Sequence, residues 1–143
     1  MAKAQIQMPD DFLKKLSTLG KKTDEIAESV LEAGGEVVLA KVKSSLSAVV
    51  GKDTKVASRS TGELERSLGL TGARVDKDGN HNVKIGFAEP RSDGESNAKI
   101  ANILEYGRHG QPAKPFLKPA TRASKNACEA AMAQKFEEEI RKT

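Results

Sequence analysis

The chain has 143 residues, with 24 Lys and Arg against 20 Asp and Glu, 37% hydrophobic side chains and 3% aromatic ones. That length suits one domain, 1–143, and the apolar content excludes wholesale disorder, although a core built from Val, Leu, Ile and Ala is a thin one. The longest apolar runs, such as Val37–Ala40, fall far short of the ~20 residues of a membrane helix, and the one cysteine, Cys128, excludes an internal disulfide and a cysteine-based zinc site.

Residues 1–8 read as a flexible tail, with no apolar stretch that would make a secretory signal. Residues 9–50 read as a long or kinked helix. Pro9-Asp10-Asp11 suits its start, with carboxylates near the positive helix end. Phe12, Leu16 and Leu19 follow at helical spacing; Gly20 permits a kink, and Thr23 or Asp24 can cap a restart. Two apolar stripes come next, Ile26-Val30-Ala33-Val37 and Val38-Val42-Leu46-Val49, offset by one residue. Gly34-Gly35 sits just before the offset. Two mid-helix glycines cost together about 2 kcal/mol relative to Ala, so they imply a kink or a close approach by another chain. Gly51 suits the C-cap.

Residues 52–60 are polar and read as a loop. Ser60 or Thr61 can cap a short helical turn, with Glu63 at capping-box distance, that carries Leu64, Leu68 and Leu70. Residues 72–87 read as a β-hairpin around Asp76-Lys77-Asp78-Gly79-Asn80. An odd loop such as Asp78-Gly79-Asn80 pairs 75 with 83 and 73 with 85, which places Ala73, Val75, Val83, Ile85 and Phe87 on one face. Residues 88–97 read as a mobile loop. Residues 98–106 read as a helix with Ile100, Ile103 and Leu104 on one side and Gly107 ending it. A Pro-punctuated segment, 110–115, then leads into a final helix with Pro119 in its first turn. That helix shows two stripes, Ala120-Ala123-Ala127-Ala131 and Cys128-Met132-Phe136-Ile140. The fold class is α+β: a long N-terminal helix and a C-terminal helix packed on a small antiparallel sheet with a central β-hairpin. Residues 53–58 or 112–117 offer a further strand.

Catalytic chemistry finds little purchase. P-loop, Rossmann, HExxH and GxSxG patterns are absent. A nucleophile–base pair would need Cys128 with His81 or His109, yet Cys128 falls on an apolar stripe and reads as a small buried hydrophobe. No catalytic residue, metal site or cofactor is expected.

The charge is uneven. Residues 1–60 hold ten basic and eight acidic groups, and residues 61–100 hold six and seven. Arg108, Lys114, Lys118, Arg122 and Lys125 follow one another with no acid between them. Five cations can track a phosphate backbone, which makes a small nucleic-acid-binding protein the alternative reading. Phe116 alone is too little for a stacking platform. The preferred reading is a basic rim on a protein–protein contact.

Leu104-Glu105-Tyr106-Gly107 and Gln111-Pro112-Ala113-Lys114-Pro115-Phe116-Leu117-Lys118-Pro119-Ala120 stand out as a fixed bend, with Phe116 and Leu117 as anchors. Together with the Lys- and Ala-rich N-terminal helix and a Thr-Gly-x-Leu-x-x-Ser element (Thr61, Gly62, Leu64, Ser67), they appear in the order seen in a tail-component family of long-tailed phages and prophages. The chain resembles that family over roughly residues 10–140. Arg108-His109 departs from the Thr-rich turn of the family.

The resemblance implies a structural protein of the virion neck or tail top, assembled in the host cytoplasm. It would complete the tail by joining the portal-side connector to the tail tube or its terminator. It would form a homo-oligomeric ring, with a hexamer as the case that matches phage symmetry, and need no membrane. Glu105, Tyr106, Gly107, Pro112, Pro115, Phe116, Leu117 and Pro119 would be motif and packing residues. Arg108, Lys114, Lys118, Arg122 and Lys125 would meet an acidic neighbour, with DNA as a secondary contact.

Overall fold

A computed structural model describes residues 3–9, 23–49, 63–88 and 96–142. In chain order they form β1 (Ala4–Gln7), α1 (Thr23–Val49), α2 (Glu63–Ser67), β2 (Leu68–Leu70), β3 (Arg74–Val75), β4 (His81–Phe87), α3 (Asn97–Tyr106) and α4 (Leu117–Arg141). The expectations for 10–22, 52–60, the capping box at Ser60–Glu63 and most of the 88–97 loop lie outside the described residues or side chains. The architecture is α+β, with two long helices and a small antiparallel sheet.

The sheet is organised around β4. β1 pairs along one edge (Ala4↔Ile85, Ile6↔Val83), while β2 (Leu68↔Phe87, Leu70↔Ile85) and β3 (Val75↔His81) share the other. Directly paired residues share a face, so Ala4, Ile6, Leu68, Leu70, Val83, Ile85 and Phe87 make one apolar face. Residues 4–7 are therefore an edge strand, where a flexible tail was expected. Ala4, Ile6 and Met8 alternate with polar residues and are buried, which is the period of a half-buried strand. Leu68 and Leu70, expected on a helical turn, are also strand residues. The 112–117 segment adds no strand; only an isolated Arg108↔Gln111 bridge precedes it.

Between Leu70↔Ile85 and Arg74↔Asn82, three residues (71–73) oppose two (83–84). This is a β-bulge. Without the extra residue Arg74 would share the face of Leu68 and Leu70; with it, Ala73 and Val75 take that face and Arg74 points the other way. The hairpin loop has the odd count expected, but it is Lys77-Asp78-Gly79, one residue earlier, so Val75 faces His81 and not Val83. Turn chemistry explains the shift. Asp76 Oδ1 accepts from the N–H of Asp78 and Asn80, both at 2.9 Å. Gly79 N–H donates to the Asp76 carbonyl, and Gly79 takes φ +83°. A three-residue hairpin loop needs its left-handed residue last.

α1 buries two adjacent stripes, Ile26-Val30-Gly34-Val38-Val42-Leu46 and Ala27-Leu31-Gly35-Leu39. Both run through the glycines, so the offset seen in the sequence disappears; Ala33 and Val37 are only half-buried. A Cβ on Gly34 would stand 2.6 Å from Met132 Cγ on α4, and one on Gly35 would stand 2.8 Å from Leu70 Cδ1 on the sheet. The close approach comes from this chain's own α4 on one side and its own sheet on the other. α4 buries Leu117, Ala120, Ser124, Cys128, Met132 and Phe136. Of its expected alanine stripe, Ala123 and Ala127 are exposed and Ala131 is half-buried. α4 thus packs mainly on α1, and it reaches the sheet at its start, where Phe116 meets Phe87 edge-on at 6.3 Å between ring centroids.

Candidate functional site

The two sequence motifs meet in space at the junction of α3 and α4. Ser96 caps α3 by accepting from Lys99 N–H at 3.2 Å. The fully buried row of α3 is Asn97, Ala101 and Glu105; Ile100, Ile103 and Leu104, the apolar side read from the sequence, are half-buried. A row with polar residues at both ends needs partners for them. Asn97 Nδ2 donates to the Ala88 carbonyl at 2.7 Å, which ties the start of α3 to the end of β4.

Glu105 closes the other end. It is 3% exposed. Its Oε2 accepts from Phe116 N–H at 2.9 Å and Leu117 N–H at 2.8 Å, and Oε1 accepts from Lys118 N–H at 3.0 Å. The first four N–H groups of a helix have no internal acceptor. Here Phe116 is the N-cap residue, and Pro119, the fourth position, has no N–H to satisfy. One carboxylate therefore accounts for every orphan donor at the start of α4, and its charge lies at the positive end of that helix.

The bend between the helices is held by its own backbone. Gly107 N–H donates to the Ile103 carbonyl at 2.7 Å, Lys114 N–H to the Leu104 carbonyl at 2.7 Å, and Arg108 and Gln111 exchange both N–H bonds at 2.9 Å. Gly107 has φ +77°, and a Cβ there would lie 2.8 Å from Ala113 N. Pro112 and Pro115 are exposed, whereas Phe116 and Leu117 are buried. In the earlier motif, Thr61 and Gly62 lie outside the described residues. Leu64 is in the core, and Ser67 Oγ donates to the Leu64 carbonyl at 2.7 Å, where α2 turns into β2.

The bend presents charge to solvent. Lys118, Arg122 and Lys125 are exposed at i, i+4 and i+7 on α4, and Arg108 is exposed on the turn. Lys118 Nζ stands 5.1 Å from the centre of the Tyr106 ring, which is 55% exposed. Lys114 is half-buried.

Cys128, read from its stripe as a small buried hydrophobe, is placed as one. Cys128 is buried beside Gly34. Burial, and secondarily the charge of Glu129, push its thiol pKa up, away from the reactive thiolate. His81 Nε2 lies 3.5 Å from Asp24 Oδ1, and His109 is exposed on the turn. Among the described residues, no group of three His, Cys, Asp or Glu could hold a metal ion, and no helix is long and apolar enough to cross a membrane.

One further feature escaped the sequence reading. Glu28, Glu32 and Glu36 line a groove of about 250 Å³ with Leu70, Thr71, Gly72, Ala73 and Val83. That is smaller than the roughly 300–1,000 Å³ of small-molecule sites. The signal was present in the sequence as acids at i, i+4 and i+8.

Residues 10–107 match the model of the HK97-gp10-like family, described as "Bacteriophage HK97-gp10, putative tail-component". The match takes in the Thr-Gly-x-Leu-x-x-Ser and Glu-Tyr-Gly elements and ends before the Gln111–Ala120 element that Glu105 binds. No curated protein and no solved structure matches the chain. The family match spans well over half of the sequence, and the chain belongs to the HK97-gp10-like family of bacteriophage tail components.

Proposed function

We propose that this protein is a structural component of the phage head–tail junction, where it forms a ring that joins the connector to the tail and does no chemistry. The observation that carries this reading is the basic row of Lys118, Arg122 and Lys125, exposed on a helix whose start is fixed by Glu105. A rigidly held charged face suits recognition of a preformed surface, because little conformational freedom is lost on docking. The family supports a place in the virion. The thin core supports assembly, since a subunit gains stability when a partner covers its surface.

The test is genetic and visual. A host carrying the phage with this gene disrupted should accumulate DNA-filled heads and separate tails of normal length. Normal particles, or tails of aberrant length, would contradict the reading. The same basic row keeps nucleic-acid binding as the second reading. Titration of duplex DNA across salt concentrations separates the two, because several phosphate contacts give a steep salt slope.

A further inference from the structure

Two charged rows on this protein make no ion pair among the described residues. Glu28, Glu32 and Glu36 are all exposed on α1, beside the bulged sheet edge, and make no ion pair among the described residues. Lys118, Arg122 and Lys125 are exposed on α4 and also make no ion pair there. Like charges three or four residues apart on a helix repel. At 1.5 Å per residue the acidic row spans about 12 Å and the basic row about 10–11 Å. The rows match in length and oppose in sign.

The acidic row borders the groove toward Leu70–Ala73, while the basic row lies on α4 positions that are not buried against α1. We infer that the basic face of α4 from one copy docks into the acidic groove of a second copy. Tyr106, exposed beside Lys118, enters the groove's apolar floor of Leu70, Ala73 and Val83. Aromatic anchors ringed by charge are frequent at the centres of interfaces. The two patches differ, so the contact is heterologous, and repetition of a heterologous contact closes a ring or extends a filament. This inference rests on the ring reading above and names the surfaces that would make the ring.

The experiment uses the full chain and sedimentation velocity at low and high salt. Two variants are compared with the parent: E28K/E32K/E36K and K118E/R122E/K125E, each checked for native circular dichroism. The parent should self-associate, more weakly at high salt. Each variant alone should lose association by about tenfold or more in dissociation constant, and an equimolar mixture should recover it, because each supplies the patch the other lacks. Should one variant fail to fold, the neutral variants E28Q/E32Q/E36Q and K118Q/R122Q/K125Q replace the pair, and each should weaken association at low salt and recover it on mixing. A parent that associates with both variants unaffected overturns this interface and leaves the ring reading standing. A parent that stays monomeric at high concentration and low salt overturns both. Loss of duplex-DNA binding in the α4 variant with association unchanged also overturns the interface.

Discussion

The carboxylate of Glu105 accepts the backbone N–H of Phe116 at 2.9 Å, across eleven residues of chain. This bond, with those to Leu117 and Lys118, turns two separate sequence motifs into one structural unit. Removing the side chain leaves three N–H groups unsatisfied, two of them in buried bonds. Glu105→Ala should destabilise the protein by about 3 kcal/mol or more, and Glu105→Gln by about 1–2 kcal/mol, since an amide keeps one acceptor oxygen. Urea midpoints at unchanged slope measure both. Equal costs would show that the oxygen kept in Gln contributes nothing and that the charge of the carboxylate carries the cap.

Gly107 carries the turn after α3 at φ +77°, with Ala113 N where a Cβ would go. Gly107→Ala combines a disfavoured backbone conformation with a backbone clash. The expected cost is about 2–4 kcal/mol, read as a fall in the thermal midpoint. Gly110 has the same φ but open space around it. Gly110→Ala should therefore cost only about 1–2 kcal/mol.

Gly34 sets the distance between α1 and α4. On helix propensity alone, Gly34→Ala would gain about 1 kcal/mol. With Met132 Cγ at 2.6 Å from the new Cβ, Gly34→Ala should instead cost about 1–3 kcal/mol. Pairing Gly34→Ala with Met132→Ala should give less than the summed costs, because the cavity and the added methyl share one space. Additive costs in the double-mutant cycle would show that the two residues do not share it.

Cys128 gives a pH signature. Its folded-state pKa is raised above the ordinary thiol value of 9.0 by burial and by Glu129. The unfolded chain thus loses this proton first as pH rises. The contribution to stability is intact below about pH 9 and is lost as pH climbs toward the folded value. Thiol alkylation in native buffer should be much slower than in denaturant, and Cys128→Ala should flatten the alkaline fall in stability. An unchanged alkaline limb would assign that fall to other groups.

The sequence showed some of this fold and site and hid the rest for identifiable reasons. α1 and α4 were legible from apolar spacing, and Gly107 from its place after Tyr106. Apolar spacing breaks the stripe through α1 at Gly34-Gly35 because glycine carries no apolar side chain, whereas both are contact residues. β1 alternates as a strand should, but four residues carry a weak signal without a turn beside them. The hairpin's parity followed from its apolar pattern; its register depended on Asp76 closing the turn, which apolar spacing does not report. Glu105 was visible only as a motif letter. Nothing local marks an acid as buried when its partners lie eleven to thirteen residues away. The basic row was countable, and the acidic row was equally countable but became a surface only once the bulged sheet edge was placed beside it.

The most direct test of the account is cryo-electron microscopy of the mature phage at the neck. The account predicts copies of this chain in a closed ring between connector and tail tube, with Lys118, Arg122 and Lys125 facing Glu28, Glu32 and Glu36 of the adjacent copy. Density for the chain at the tail tip, or single copies that do not touch one another at the neck, would contradict it.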